Sequence, residues 1–424
     1  MNTDPNPVSI SRMAERAVEA ATELARLSTR TKNGILEAMA SGVEAASERI
    51  RSENQGDLDA AESAGLPRPM RDRLALTPAR LDAMVRGMRA LVGLKDPVGT
   101  RISRWLRPNG LEILKVRVPI GVIAIIYEAR PNVTADAASL CFKTSNAVLL
   151  RGGHEAARSN RAILDAMITA ARPAGLPDHA MQLVETPDRD AIREIVQQEG
   201  KVDLVVPRGG EGLIRFVTEH ARVPVIKHYK GVCHIYVDRA AQPEMALDIC
   251  ENAKCSYPAV CNAAEKILIH REIADSLLPR LAERLRGRGV ELRGDPEVCA
   301  RIPGVIPATE ADWTAEYLDL IITLKVVDGT PEAIAHINHY GSHHSDAIVT
   351  EHAPSARRFL REVDSAAVYH NASTRFTDGG EFGMGAELGI STDKLHARGP
   401  MGLDELTSYK YIIRGSGQIR SPAG

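Results

Sequence analysis

The sequence predicts an α/β protein with parallel, doubly wound sheets, and three observations lead there. From Gly121 onward, short apolar strand candidates alternate with helical segments, the pattern of strand–helix–strand units. A second alternating series opens near Gly231. Ahead of both, residues 8–93 read as helix, and the turn Pro108-Asn109-Gly110 sits between two alternating segments as in a hairpin.

The elements follow in order. Leu36, Met39, Val43 and Ala46 recur at helical spacing, as do Leu81, Met84 and Met88. Pro67 and Pro69 punctuate that stretch, and Pro97-Val98-Gly99 ends it. The hairpin 101–118 is marginal as an isolated ribbon, so it is expected to pack on something else, another subunit included. The first series has strands at 121–127, 147–151 and 202–206, with helices predicted over 133–144, 154–173 and 188–199. The second has strands in HIYVD, EKILIH, IITLKV, DAIVT and AAVYH, with helices over 243–254, 272–287, 330–339 and 354–362. The change at Lys230-Gly231 is the expected domain boundary, and SYKYIIRG is a late strand candidate.

Composition narrows the class. The 424 residues are 44% hydrophobic and 25% charged, enough to bury a large core without disulfides or metal. A net charge of −2 argues against nucleic-acid and membrane-surface partners. The longest apolar run, Val118 to Tyr127, is far short of a membrane span, and the N-terminus MNTDPNPVSISR lacks a secretory apolar region. Six cysteines without a CxxC pair fit a reducing cytoplasm.

Cys141, Cys233, Cys250 and Cys299 read as small buried hydrophobes. Cys255 and Cys261 differ, because both lie in the helix-to-strand connection ENAKCSYPAVCNAAEK, where a thiol can be rigidly held yet reachable. Composition does not choose between them. Pro131-Asn132 reads as a turn and helix cap. Arg208-Gly209-Gly210-Glu211-Gly212 follows a strand and precedes a helix, which suits backbone N–H groups facing a pyrophosphate. His336, His339, His343 and His344 cluster in HINHYGSHHSD, but Gly341-Ser342 breaks the helical spacing a metal pair needs, and no metal is expected.

PAVCNAAEKILIH resembles the active-site segment of the aldehyde dehydrogenase superfamily. VPIGVIAIIYEARPNV, SNAVLLRGGHEAARSN, PRGGEGLIRFV and EFGMGAELGISTDKLHARGPMGLDELTSYKY resemble its other landmarks in the same order. The wording of YEARPNVT, HHSDAIVT and FGMGAELGISTDKLHARGPMGL is similar to the branch that reduces an acyl phosphate, L-glutamyl 5-phosphate, to glutamate 5-semialdehyde in proline biosynthesis.

The resemblance implies a Rossmann-like cofactor domain (1–100 and 119–230), an α/β catalytic domain (231–371) and an oligomerisation element (101–118 and 372–424). It implies Cys261 as nucleophile, with Lys254 as a candidate to acidify it, and Asn132 as an oxyanion donor. It places the cofactor at Arg151, Gly152, Arg208, Gly209, Gly210 and Glu316, the last on the nicotinamide ribose. His154 stands where many relatives carry a ribose-binding Glu, and Arg151 adds a cation; both favour NADPH over NADH, with Glu155 arguing the other way. Where hydrolytic members carry a water-activating Glu, this chain has VIKHYKGV, so Lys227, His228 and Lys230 are expected to serve a phosphorylated substrate. His343 and His344 are expected near the glutamyl group. A homo-oligomer is implied, as is functional coupling to the glutamate 5-kinase that makes the acyl phosphate.

Overall fold

Five helices precede the first strand: α1 (Ile10–Leu24), α2 (Thr29–Ala45), α3 (Ser47–Ser63), α4 (Arg68–Leu74) and α5 (Pro78–Gly93). The computed structural model describes residues 9–186 and 188–420, so most of the N-terminal leader reading and the last four residues lie outside it. Three of these helices start on hydroxyl caps, Ser9, Ser28 and Thr77, each accepting a backbone N–H of the first turn. The buried stripe Ile35, Leu36, Met39, Ala40, Val43 gives α2 its inward face.

The chain divides into two compact units, one of Met1–Lys227, Gly383–Gly389 and Met401–Gly424, the other of His228–Phe382 and Ile390–Pro400. The division falls just ahead of the Lys230-Gly231 boundary read from sequence. The hairpin counts with the first unit, and the C-terminal segment is shared between the two.

In the first unit, β1 (Arg101–Leu106) and β2 (Glu112–Pro119) form the expected hairpin, and the late strand Thr407–Arg414 adds antiparallel to β2. Then follow β3 (Val122–Tyr127), α6 (Asn132–Lys143), β4 (Ala147–Arg151), α7 (Ala157–Ala171), β5 (Met181–Leu183), α8 (Asp190–Val196), β6 (Leu204–Arg208) and α9 (Glu211–His220). Their sheet is parallel throughout, in the order β5-β4-β3-β6. Every residue of β3 and β4 is buried, as helices on both faces require. At Gly42 a Cβ would stand 2.6 Å from the Ala166 carbonyl oxygen, so glycine there lets α2 approach α7 closely.

The second unit runs β7 (Cys233–Val237), α10 (Pro243–Cys255), β8 (Ala264–His270), α11 (Arg271–Gly287), β9 (Glu291–Gly294), α12 (Pro296–Arg301), β10 (Ile306–Pro307), α13 (Glu310–Thr314), β11 (Ile321–Val327), α14 (Thr330–Tyr340), β12 (Ser345–Val349), α15 (Ala353–Glu362) and β13 (Ala367–His370). Its seven strands are parallel, ordered β10-β9-β11-β8-β7-β12-β13. The core is packed from Ile235, Val237, Ile267, Ile269, Leu324 and Ile322. Because the strands are parallel, the segments leading into β7, β8, β11 and β12 all meet at one edge.

Candidate active site

That edge carries Cys261. The thiol lies half-buried in the connection between α10 and β8, on the N-terminal side of the strands rather than at the C-terminal ends where open α/β sheets usually bind ligands. The connection is held from outside. Arg375 Nε donates to Ser256 Oγ at 3.1 Å, and its Nη1 donates to Asn262 Oδ1. Asn262 Nδ2 donates to the Thr377 carbonyl at 2.9 Å, and Thr374 Oγ1 donates to the Asn262 carbonyl at 2.7 Å. Sequence reading missed Arg375, Thr374 and Thr377, which lie more than a hundred residues from the loop they hold. Their only signal was a run of polar residues ahead of the Gly-rich tail.

The two cysteines left open by composition part here. Cys255 ends α10, where burial and then the nearby Glu251 push its thiol up, away from the thiolate form. Cys141, Cys233 and Cys250 are buried as expected. Cys299 is only half-buried and places its Sγ 3.4 Å from the Gly294 carbonyl, since α12 is short and lies at the margin of the sheet. Lys254, the cation weighed from sequence beside Cys261, already has a partner. It is wholly buried in an ion pair with Glu265, 2.8 Å away.

Glu265 also accepts the Leu318 N–H at 3.2 Å, and Lys266 Nζ donates to the Ala315 carbonyl at 2.8 Å. These two contacts bracket Glu316, whose Oε1 accepts the Gly231 N–H at 2.8 Å. Lys227, His228 and Lys230 occupy the irregular stretch before β7, all partly buried. His228 and His344 meet edge to face with ring centres 5.7 Å apart. His344 is buried, its Nδ1 2.9 Å from Ser345 Oγ. His343 adopts a left-handed backbone with φ of 59° and donates from Nδ1 to the Asp364 carbonyl at 2.6 Å. His336 is enclosed by Trp313 and Tyr340, and burial lowers its pKa to about 3, so it is neutral. The histidines of this stretch thus go to different places, and no group of three or more metal-ligating side chains occurs among the described residues.

In the first unit the C-terminal ends of β3, β4 and β6 lie side by side, Tyr127 opposite Arg208 and Ile126 opposite Arg151. The chain reverses its direction of winding between β3 and β6, the usual crevice for a dinucleotide. Two carboxylates stitch this edge. Glu128 Oε2 accepts the Gly210 N–H at 2.8 Å, and Glu155 Oε1 accepts the Ala129 N–H at 2.6 Å, holding Ala129 at a φ of 37°. Glu155, weighed from sequence as an argument against NADPH, thus bonds its own scaffold. Arg151 is likewise engaged with backbone. It is buried at the end of β4, and its guanidinium donates to the carbonyls of Gly152 and Asp188.

Three arginines stand at an opening here: Arg49, which also donates to the Ala162 carbonyl at 3.3 Å, Arg158, and Arg161, which pairs with Glu185. They line a cavity of about 570 Å³ with His154, Gly152 and Gly153, and with Glu53, Asp165 and Glu185. Gly152 fits its wall, since a Cβ there would run into Asn160 and the Tyr127 ring. The N-terminus of α7 is not available to an anion, because Asp57 accepts the N–H groups of Arg158 and Ser159.

Asn132 is the first residue of α6, and Pro131 occupies the cap position without a side-chain bond, so Asn132 is not the cap expected from sequence. Its amide, exposed at the helix start, donates instead to Asp136 Oδ2 at 3.0 Å, one turn on. Burial raises the Asp136 pKa to about 6, partly offset by that bond and by Arg208. Arg208 packs against Gly389, where φ is +127° and a Cβ would overlap the guanidinium.

A half-buried thiol on a loop beside one parallel sheet, and a crevice at a change of winding on another, point to a class. The model of the aldehyde dehydrogenase family matches residues 4–320, and the chain belongs to that family. Its relatives include the γ-glutamyl phosphate reductase of Moorella thermoacetica, 54% identical over 413 residues, covering 97% of this chain and 99% of that one. That of Salinibacter ruber is 50% identical over 421 residues, covering 99% and 97%. The crystal structure of γ-glutamyl phosphate reductase from Thermotoga maritima superposes with a TM-score of 0.94 at 46% identity, over 96% of this chain and 99% of that one. The branch is therefore that of the γ-glutamyl phosphate reductases, oxidoreductases of proline biosynthesis. An acetylating aldehyde dehydrogenase from Geobacillus thermoglucosidasius, 16% identical with a TM-score of 0.70 over 98% of this chain and all of that one, shares the fold. No helix among the described residues is long and apolar enough to cross a membrane.

Proposed function

We propose that this enzyme reduces L-glutamyl 5-phosphate to L-glutamate 5-semialdehyde in the cytoplasm, with NADPH as reductant and Cys261 as nucleophile. The observation that carries the reading is the half-buried Cys261 thiol on a loop clamped by Arg375 and Asn262. Its thiolate attacks the acyl carbon, the C–O bond to phosphate breaks, and a thioester forms. Asn132 is assigned to the developing oxyanion, with Asp136 fixing its amide. A nicotinamide cofactor, when held there, would supply hydride to the thioester carbonyl. The resulting thiohemiacetal collapses, the C–S bond breaks, and the thiol recovers its proton.

The segment 227–230 contains no carboxylate, so the Glu that activates water in hydrolytic members has no counterpart here. Lys227, His228 and Lys230 suit the departing phosphate instead, and His343 and His344 the glutamyl end. The cofactor would be held by the Gly209–Gly210 turn with Arg208, by Gly152 beside Arg151, and by Glu316 at the nicotinamide ribose. A 2′-phosphate would meet Arg158, Arg161 and Arg49 at the cavity, competing with Glu185 for Arg161, and His154 stands where many relatives carry a Glu. We assign the enzyme to a homo-oligomer and to functional coupling with the kinase that forms its short-lived substrate.

The test is the reverse reaction with glutamate semialdehyde and NADP⁺. A strict requirement for phosphate or arsenate is expected. Turnover without either anion would instead identify a hydrolysing aldehyde dehydrogenase. Arg158→Ala should raise the KM for NADPH about tenfold and leave that for NADH within about twofold, a loss typical of one charged contact. Equal changes for both cofactors would remove Arg158 from the 2′-phosphate site.

A further inference from the structure

Cys233 and Gly231 lie where the chain enters β7, and both press on the backbone of Cys261. The Cys233 thiol is wholly buried and donates to the Cys261 carbonyl, with 3.2 Å between Sγ and oxygen. Its sulfur is also 3.8 Å from His344 Nδ1. Gly231 stands so close that a Cβ would overlap both the carbonyl and the Cα of Cys261. Gly231 in turn is fixed by Glu316, which takes its N–H, and its neighbour Val232 donates its N–H to Ser342 Oγ at 2.8 Å.

We propose that Cys233 and Gly231 are positioning residues for the nucleophile, the first gripping the Cys261 carbonyl by a hydrogen bond and the second by shape. This rests on Cys261 being the nucleophile. Cys233 touches no reacting atom in this scheme, so it is not itself catalytic. Its burial keeps it protonated by pushing the thiol well above its ordinary value, and the neutral S–H is the form that can donate. The Cys261 peptide is thereby set before substrate arrives, and an error of about 1 Å in such placement can cost about 10²-fold in rate. Glu316 acts at the same point, anchoring Gly231 against the nucleophile loop.

Four variants decide it: Cys233→Ala, Cys233→Val, Cys233→Ser and Gly231→Ala, beside Cys261→Ala. For each, kcat and KM are measured together with the rate at which iodoacetamide alkylates Cys261, followed by peptide mass spectrometry. Alanine and valine at 233 remove the donor, one leaving space and the other filling it. Both should lower kcat about tenfold with KM within about twofold, and serine should restore most of the loss. Alkylation should stay within about twofold, because a small alkylating agent needs a reachable thiolate but no exact orbital alignment. Gly231→Ala should lower kcat further. If that variant does not fold, the 233 series decides alone.

Wild-type kcat in both Cys233→Ala and Cys233→Val would overturn the proposal. So would a loss that serine does not restore, or one matched by an equal loss of alkylation, since that marks a displaced loop. Activity in Cys261→Ala is the separate outcome that removes the nucleophile assignment, whatever the other variants do.

Discussion

Arg375 reaches both ends of the Cys261 loop, Ser256 on one side and Asn262 on the other. Arg375→Ala should therefore lower kcat by about 10²-fold while cofactor affinity stays within about twofold. Arg375→Lys should not rescue it, because a single ammonium on a flexible stem does not reproduce the planar fork. Steady-state kinetics with a cofactor titration check this. Asp136 gives a stability test. Its folded pKa is raised from 3.8 to about 6 by burial, so the fold prefers the protonated acid. The stability from this group is full below its unfolded value and is lost as pH rises through the folded one. Thermal melts between pH 3.8 and about 6 should show that decline in the wild type and lack it in Asp136→Asn. At this scale the sequence disclosed residue types more readily than partners. Cys261 was separated from Cys255 by resemblance alone, whereas in the fold burial beside Glu251 disfavours the Cys255 thiolate. Arg151 was read as a cofactor ligand and Glu155 as an argument against NADPH, and in the fold backbone groups of neighbouring turns also claim both. Such claims depend on which strand ends lie side by side.

The strand edges are the elements that build function. In the second unit the leads into β7, β8, β11 and β12 supply Gly231 and Cys233, Cys261, Glu316 and His344 in turn. The Lys254–Glu265 pair underlies this edge, wholly buried. Lys254→Met should cost about 3–5 kcal/mol, because it leaves a buried carboxylate without its partner, and a Lys254→Met/Glu265→Leu double variant should recover most of that. Denaturant unfolding measures both. A single variant as stable as the wild type would mean the pair is dispensable. The long apolar strands and their helices were legible from alternation. β5, β9 and β10 were not, because they are two to four residues long and sit at or beside sheet margins, too short for a period to register. The C-terminal strand was legible from its alternation, though its pairing with β2, some three hundred residues earlier, was not.

On the whole molecule, the three-stranded sheet presents an aromatic face. Register places Trp105, Ile113 and Ile413 together, with Tyr411 and Tyr409 continuing the row, and Ile413 is 57% exposed. Such a face is a candidate for self-association. Tyr411→Glu combined with Ile413→Glu should convert an oligomer to monomers by light scattering, and an unchanged mass would exclude this sheet as the contact. In the proposed reaction each unit brings its own part of the chemistry, the first a dinucleotide crevice and the second the clamped thiol. In that proposed reaction a thioester forms on Cys261 and waits for phosphate or hydride rather than water. Intact and peptide mass spectrometry on enzyme incubated with glutamate semialdehyde and NADP⁺, without phosphate, tests it most directly. A glutamyl adduct is expected on the peptide carrying Cys261, and it should disappear when phosphate is added. An adduct on Cys255, or steady turnover without any adduct, would contradict it.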